Sequence, residues 1–189
     1  LNIAVLFVTH DQIEPLSPSD HIALMNFGVI QQQGPPRLLY EQPANEFVRD
    51  FVGKTVLLRG TAQSTNEEGY LSVAIFGSPD CIVFGRTADP ERVSPGGEVF
   101  IGVRPEDVEL RPATGGGVPP GILEGEVLAS LFVGERIEYQ IELADQGTLT
   151  LYGERHEPVA EGGKIWLKLR PDGHSAWSGD WSGPLSVEA

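Results

Sequence analysis

Apolar and polar positions along this chain follow two rhythms, and the change falls near residue 54. Before it, the run Leu1-Asn2-Ile3-Ala4-Val5-Leu6-Phe7-Val8 ends in Thr9-His10-Asp11-Gln12. Such a run reads as a buried strand of an α/β sheet. Ligands of those sheets bind beyond the carboxyl ends of the strands, which places His10 where a phosphate could be touched. Asp11 and Glu14 have capping-box spacing, but Pro15 and Pro18 make the helix that follows short or broken. Residues 22–25 and 29–32 flank Asn26-Phe27-Gly28 as a hairpin. Residues 36–41 start a helix with Pro36 near its first position. Asn45 caps a second helix with an apolar face of Phe47, Val48, Phe51 and Val52, and Gly53 ends it.

After residue 54, short runs rich in Val, Ile, Leu and aromatics are separated by Gly, Pro, Asn and Asp. They fall at 71–75, 81–84, 99–103, 137–141, 149–152 and 165–169. This spacing predicts a small β-barrel or sandwich. The pattern also repeats. Gly96-Gly97-Glu98-Val99-Phe100-Ile101-Gly102-Val103-Arg104-Pro105-Glu106 matches Gly162-Gly163-Lys164-Ile165-Trp166-Leu167-Lys168-Leu169-Arg170-Pro171-Asp172, offset by 66 residues. Gly60-Thr61-Ala62 and Gly125-Glu126-Val127 match at 65. Two copies of one β unit are the economical reading, at about 54–112 and 122–178, with the Gly- and Pro-rich stretch 115–121 as linker.

Composition narrows the function. The net charge of −14 comes from 13 basic against 27 acidic residues. A phosphate backbone needs a dense basic surface, so this balance argues against a nucleic-acid partner. Adhesion to an anionic membrane surface is disfavoured on the same ground, and attachment would have to come through a protein partner. With 189 residues and 40% hydrophobic content, the chain can bury one large or two small cores. Its single cysteine, Cys81, cannot form an internal disulfide, which fits a reducing compartment.

The order of motifs resembles the ATP-binding subunits of bacterial ABC importers, in the branch carrying spermidine/putrescine, ferric iron, sulfate, molybdate or maltose. The carrying residues are Thr9-His10-Asp11-Gln12, Ser19-Asp20-His21-Ile22-Ala23-Leu24-Met25-Asn26-Phe27-Gly28-Val29-Ile30, and Tyr40-Glu41-Gln42-Pro43-Ala44-Asn45-Glu46-Phe47-Val48. The remainder resembles the family's transport-associated OB-type (TOBE) domain. The resemblance implies a mainly β chain, with a duplicated OB-like β-barrel regulatory domain over 54–189. Before it, residues 1–53 would be an α/β remnant of the ABC nucleotide-binding domain. Opening at Leu1, the chain reads as the back part of a larger protein.

The same resemblance assigns roles. His10 would be the switch histidine contacting the γ-phosphate, with Thr9, Asp11 and Gln12 as neighbours. Imidazole suits that task because it donates to a phosphate oxygen and titrates near neutrality. ATP and Mg would be cofactors of the complete protein. None is expected for this chain alone, which lacks a Gly-x-x-x-x-Gly-Lys-Ser/Thr loop and the Asp-Glu strand end that holds magnesium. It should therefore not hydrolyse ATP. Expected partners are a second copy bound through the regulatory domain, permease membrane subunits and a solute-binding protein, at the cytoplasmic face of the inner membrane.

Other residues divide between roles. Arg104, Glu106, Arg170 and Asp172 close the two repeats as Arg-Pro-acid motifs. They read either as an interface or effector site, or as strand terminators with Pro ending the ladder and Arg on the surface, and the second reading is favoured. Trp166, Trp177 and Trp181 could line a groove, although core or dimer packing suits them better. His156 and His174 are expected in polar turns, and no residue set has metal-ligand spacing. A second class of function stays open, a stand-alone oxyanion-binding OB module of the molybdate or sulfate type.

Overall fold

A computed structural model describes residues 4–9, 19–87, 90–156 and 158–179. The chain divides into two compact units, Leu1–Gly53 and Lys54–Ala189.

In the first unit, β1 (Ile22–Asn26) and β2 (Val29–Gly34) form an antiparallel hairpin. Its two-residue turn has positive φ at both Phe27 (47°) and Gly28 (80°), as a I′ turn requires. Two short helices follow, α1 (Pro36–Glu41) and α2 (Glu46–Val52). Asn45 Oδ1 accepts from the Val48 amide at 3.0 Å, satisfying one of the amides that a helix start leaves unpaired. Gln32 holds the loop between the helices, donating to the Gln42 carbonyl at 3.0 Å and accepting from the Ala44 amide at 2.7 Å. Leu24, Leu39, Val48 and Val52 make the core, with Phe47 and Phe51 half-buried against it. Gly53 ends α2 in an extended rather than left-handed conformation.

The expected N-terminal strand is not formed over its described part. Residues 4–9 have no regular structure, and Val5, Leu6, Phe7 and Val8 are exposed. An apolar run becomes a buried strand only when neighbours pair both its edges, and no described strand pairs with it. The capping box at Asp11 and the two prolines lie outside the described residues.

Among its described residues the second unit holds ten strands. They are β3 (Val56–Thr65), β4 (Tyr70–Ile75), β5 (Ser78–Arg86), β6 (Glu98–Val103), β7 (Val108–Pro112), β8 (Leu123–Phe132), β9 (Arg136–Leu143), β10 (Gly147–Glu154), β11 (Lys164–Leu169) and β12 (His174–Ser178). They form a closed barrel, β12-β5-β4-β3-β6, and a five-stranded sheet, β10-β9-β8-β11-β7. The internal repeat is visible in hydrogen bonds. Ser94–Gly97 and Ala160–Gly163 make matching turns, with the last amide donating to the first carbonyl at 2.9 Å in both. Gly96 and Gly162 take positive φ there, and their amides donate to Ala62 (2.7 Å) and Val127 (2.8 Å). A bulge follows each acceptor, between Ala62 and Ser64 in β3 and between Val127 and Ala129 in β8. Gly60 and Gly125 are needed at matching points, because an added Cβ would lie 2.5 Å from the Ala74 carbonyl oxygen or 2.4 Å from Ile141 Cγ2.

The repeats exchange their last strands. β7 follows β6 in sequence but pairs with β11 of the other repeat. β12 follows β11 but pairs antiparallel with β6 and parallel with β5. The Arg-Pro motifs make the crossings, since proline cannot donate to the ladder that the preceding strand was building. Pro105–Asp107 forms a 3-10 turn, and Gly173 turns at φ 86°. One continuous apolar core fills both halves, from Leu58, Val73 and Ile101 to Ile141, Leu151 and Leu167.

Candidate functional site

The two crossings meet in space. The Asp107 amide donates to the Arg104 carbonyl at 2.9 Å, and the Arg170 amide donates to the Asp107 carbonyl at 3.1 Å. The Arg170 side chain reaches Asp107 Oδ1 at 3.2 Å and Asp172 Oδ1 at 3.5 Å. His174 sits directly beyond and is only 3% exposed. Its Nε2–H donates to the Arg170 carbonyl at 2.6 Å. Burial holds its imidazole below the usual histidine range, partly opposed by that backbone bond and by the charges of Asp107 and Asp172. The expectation of His174 in a polar turn is therefore corrected. It opens β12 and belongs to the barrel wall, because its ring is walled in by the crossing that precedes it. His156 does lie in an exposed turn, accepting from Arg155 Nε at 3.0 Å.

A cleft of about 570 Å³ opens beside this junction, between β7 and β10. Five carboxylates line it, among them Glu106, Asp107 and Glu154, facing Arg136, Lys168 and Arg170. The Arg136 guanidinium lies 3.8 Å from the Tyr152 ring centroid, a cation–π stack, and reaches Glu138 Oε1 at 3.3 Å. Mixed charge on a partly apolar wall suits a polar effector or a charged protein segment better than a bond-breaking reaction.

Of the four motif residues, Glu106 and Arg170 line this cleft and Asp172 pairs with Arg170 beside it. Arg104 does not join them. It is 8% exposed, with Nη1 donating to the Lys54 carbonyl at 3.0 Å and to Thr55 Oγ1 at 2.6 Å. It ties the entry of β3 to the end of β6, so the expected surface position of this arginine is corrected, while Arg170 is exposed as expected. Tyr152, Arg136 and Glu154 belong to no motif in the sequence. Asp107 beside the first Arg-Pro motif was the available signal, since Gly173 holds the matching place in the second.

Thr9 lies in the irregular N-terminal stretch, half-buried. His10, Asp11 and Gln12 lie outside the described residues, as does Trp181. Trp166 Nε1 donates to Glu124 at 3.1 Å, and Trp177 packs on Gly102, where an added Cβ would sit 2.7 Å from its ring. Both therefore pack within the fold. Among the described residues no group of acidic, His and Cys side chains is placed to hold a metal, and no helix is long and apolar enough to cross a membrane. Burial raises the Cys81 thiol to about 11, leaving it unreactive rather than nucleophilic.

Residues 101–176 match the TOBE domain family model. The chain is 37% identical over 149 residues to the spermidine/putrescine import ATP-binding protein PotA 1 of Pseudomonas aeruginosa, covering 79% of this chain and 38% of that one. It is 39% identical over 159 residues to PotA of Ruegeria pomeroyi, covering 84% and 40%. The Fe(3+) ions import ATP-binding protein FbpC of Brucella abortus is 36% identical over 142 residues, covering 75% and 36%. The chain thus spans roughly two fifths of the length of the curated relatives it matches, 38% to 44% for the first four. Among solved structures, the cytoplasmic molybdate-binding protein ModG superposes with a TM-score of 0.50 at 14% identity, over 64% of this chain and 93% of that one. That likeness establishes the duplicated OB-like fold.

Proposed function

From a chain that carries a TOBE domain and is homologous to ABC importer ATP-binding subunits, we propose that it is the regulatory, C-terminal portion of such a subunit. The complete protein would use ATP and Mg to energise solute uptake at the cytoplasmic face of the membrane, docked on permease subunits and served by a solute-binding protein. The observation that carries this reading is the extent of the matched sequence. Alignments cover 79% to 91% of the chain in the first four relatives, more than the TOBE match at 101–176 includes.

In this reading residues 1–53 are the end of the nucleotide domain and His10 is its switch histidine. Residues 54–189 are a regulatory domain through which two copies associate. The exchange of β7 and β12 makes that domain one mechanical unit, so a signal at the cleft is transmitted without a hinge between repeats. Arg170, Asp172 and Glu106 act at the cleft, whereas Arg104 holds the first barrel together.

Sedimentation equilibrium of the 189-residue chain, combined with thermal denaturation in molybdate and in Mg-ATP, tests the proposal. A concentration-dependent dimer without a molybdate response supports it. A monomer stabilised by micromolar molybdate would favour a stand-alone oxyanion carrier instead, since a ligand that binds only the native state raises its stability by mass action.

A further inference from the structure

We infer that the cleft is an unclosed barrel seam, held apart by the opposed carboxylates of Glu109 on β7 and Glu154 on β10, and poised to close when that opposition is removed. The inference concerns the seam alone, so its failure would leave the proposed function standing.

The two halves can be compared position by position. In the first, Tyr70 pairs with Arg86 and Val73 with Val83 across β4 and β5. In the second, Arg136 pairs with Glu154 and Tyr139 with Leu151 across β9 and β10. The offset is 66 on the earlier strand and 68 on the later one. Gly85 therefore corresponds to Gly153, and Arg86 to Glu154. With the 66-residue offset of the Arg-Pro motifs, His174 corresponds to Val108 and Ser175 to Glu109.

The first barrel closes at this point. His174 pairs with Gly85 and Ser175 with Arg86, in parallel. Just before them the Phe84 amide donates to the Pro171 carbonyl at 2.7 Å. The second half brings the same strands alongside each other, and a Cβ on Gly153 would lie 3.6 Å from Leu110 Cδ1. Yet β7 pairs only with β11, and β10 only with β9, among the described residues. The counterpart bond, from the Tyr152 amide to the Pro105 carbonyl, is missing among the described residues. Where Ser175 and Arg86 face each other in the closed seam, the open one offers Glu109 and Glu154. Like charges directly opposite each other on neighbouring strands are destabilising.

The five carboxylates that line the cleft outnumber the cations around them. Arg111 is bound to Glu109 on its own strand, with Nε at 2.6 Å. Arg136, opposite Glu154, turns to Glu138 and to the Tyr152 ring. Arg170 is engaged by Asp107 and Asp172. Lys168 on β11 stands opposite Glu109 and lines the cleft together with the carboxylates of Glu106 and Glu135, which share its charge. The competing cause is steric, because Leu110 stands where the closed seam has the smaller Ala176.

Amide hydrogen exchange by NMR on the full chain separates the two causes. Glu154→Arg and Glu154→Gln should slow exchange of the Tyr152 amide at least tenfold, as the bond to Pro105 forms. The reciprocal change Arg86→Glu should speed exchange of the Phe84 amide at least tenfold. Unchanged Tyr152 exchange in both Glu154 variants, with native near-UV circular dichroism, would overturn the inference. So would protection of Tyr152 by Leu110→Ala when neither Glu154 variant produces it.

Discussion

Replacing Ile101 with alanine tests whether strand exchange makes the two halves one cooperative body. Ile101 is fully buried on β6, opposite Leu58 on β3 and Ala176 on β12. The change removes three carbons from a closed barrel whose backbone cannot collapse onto the gap, so a cost of about 3 kcal/mol is expected. With a urea m-value of about 2 kcal/mol per molar, the midpoint should fall by about 1.5 M. The chain supplies its own reporters, Trp177 on β12 in the closed barrel and Trp166 on β11 in the other sheet. In a Trp181→Phe background, Trp177→Phe and Trp166→Phe isolate each signal. Because the core is continuous and each half is completed by the other's strand, Ile101→Ala should move both signals together and by the same amount. A Trp166 transition that stays at its original midpoint while the Trp177 transition shifts would refute the reasoning.

Three further outcomes follow from individual environments. His174 is held neutral by burial, so between its lowered native pKa and about 6.5 the unfolded chain binds the extra proton. Its contribution is therefore complete above that range and is lost as pH falls through it, with a slope of up to about 1.4 kcal/mol per pH unit; His174→Gln should flatten the difference in urea stability between pH 5 and 7, and an unchanged slope would contradict this. Gly125→Ala should cost about 1 to 3 kcal/mol because the new Cβ overlaps Ile141 Cγ2, while Gly115→Ala, in open space, should stay within about 0.5 kcal/mol. Cys81, buried and raised to about 11, should resist a thiol-reactive disulfide reagent in the native chain and react fully in urea; rapid native reaction would place the thiol outside the barrel.

Local chemistry wrote much of this fold into the sequence. The Asn26-Phe27-Gly28 turn, Pro36 at the start of α1, and Asn45 as the cap of α2 were all readable because each acts within a few residues. Six of the ten strands of the second unit were visible as apolar runs. β3 and β8 were harder, since Gly60 and Gly125 interrupt their patterns where backbones approach closely. The strand exchange was not legible at all. β7 and β12 have the same local alternation whichever barrel they enter, and only long-range packing decides between them. The repeat offset of 66 marked the boundaries of the copies but not the crossing. The run before Thr9 misled because apolar composition alone does not supply neighbouring strands. At the cleft, Arg170, Asp172 and Glu106 belong to a motif that is legible in the sequence. Tyr152 and Glu154 carry no local signature and are placed by the return of β10 alongside β7.

The most direct measurement exchanges the homologous segment of Pseudomonas aeruginosa PotA 1 for this chain and follows spermidine uptake in cells lacking the native subunit. If the chain is the C-terminal portion of an importer ATPase, ATP-dependent uptake should be clearly above that of PotA 1 with the segment deleted, and the gain should vanish when His10 is replaced by alanine. A stably expressed, ATP-binding chimera that transports no more than the deletion would contradict it.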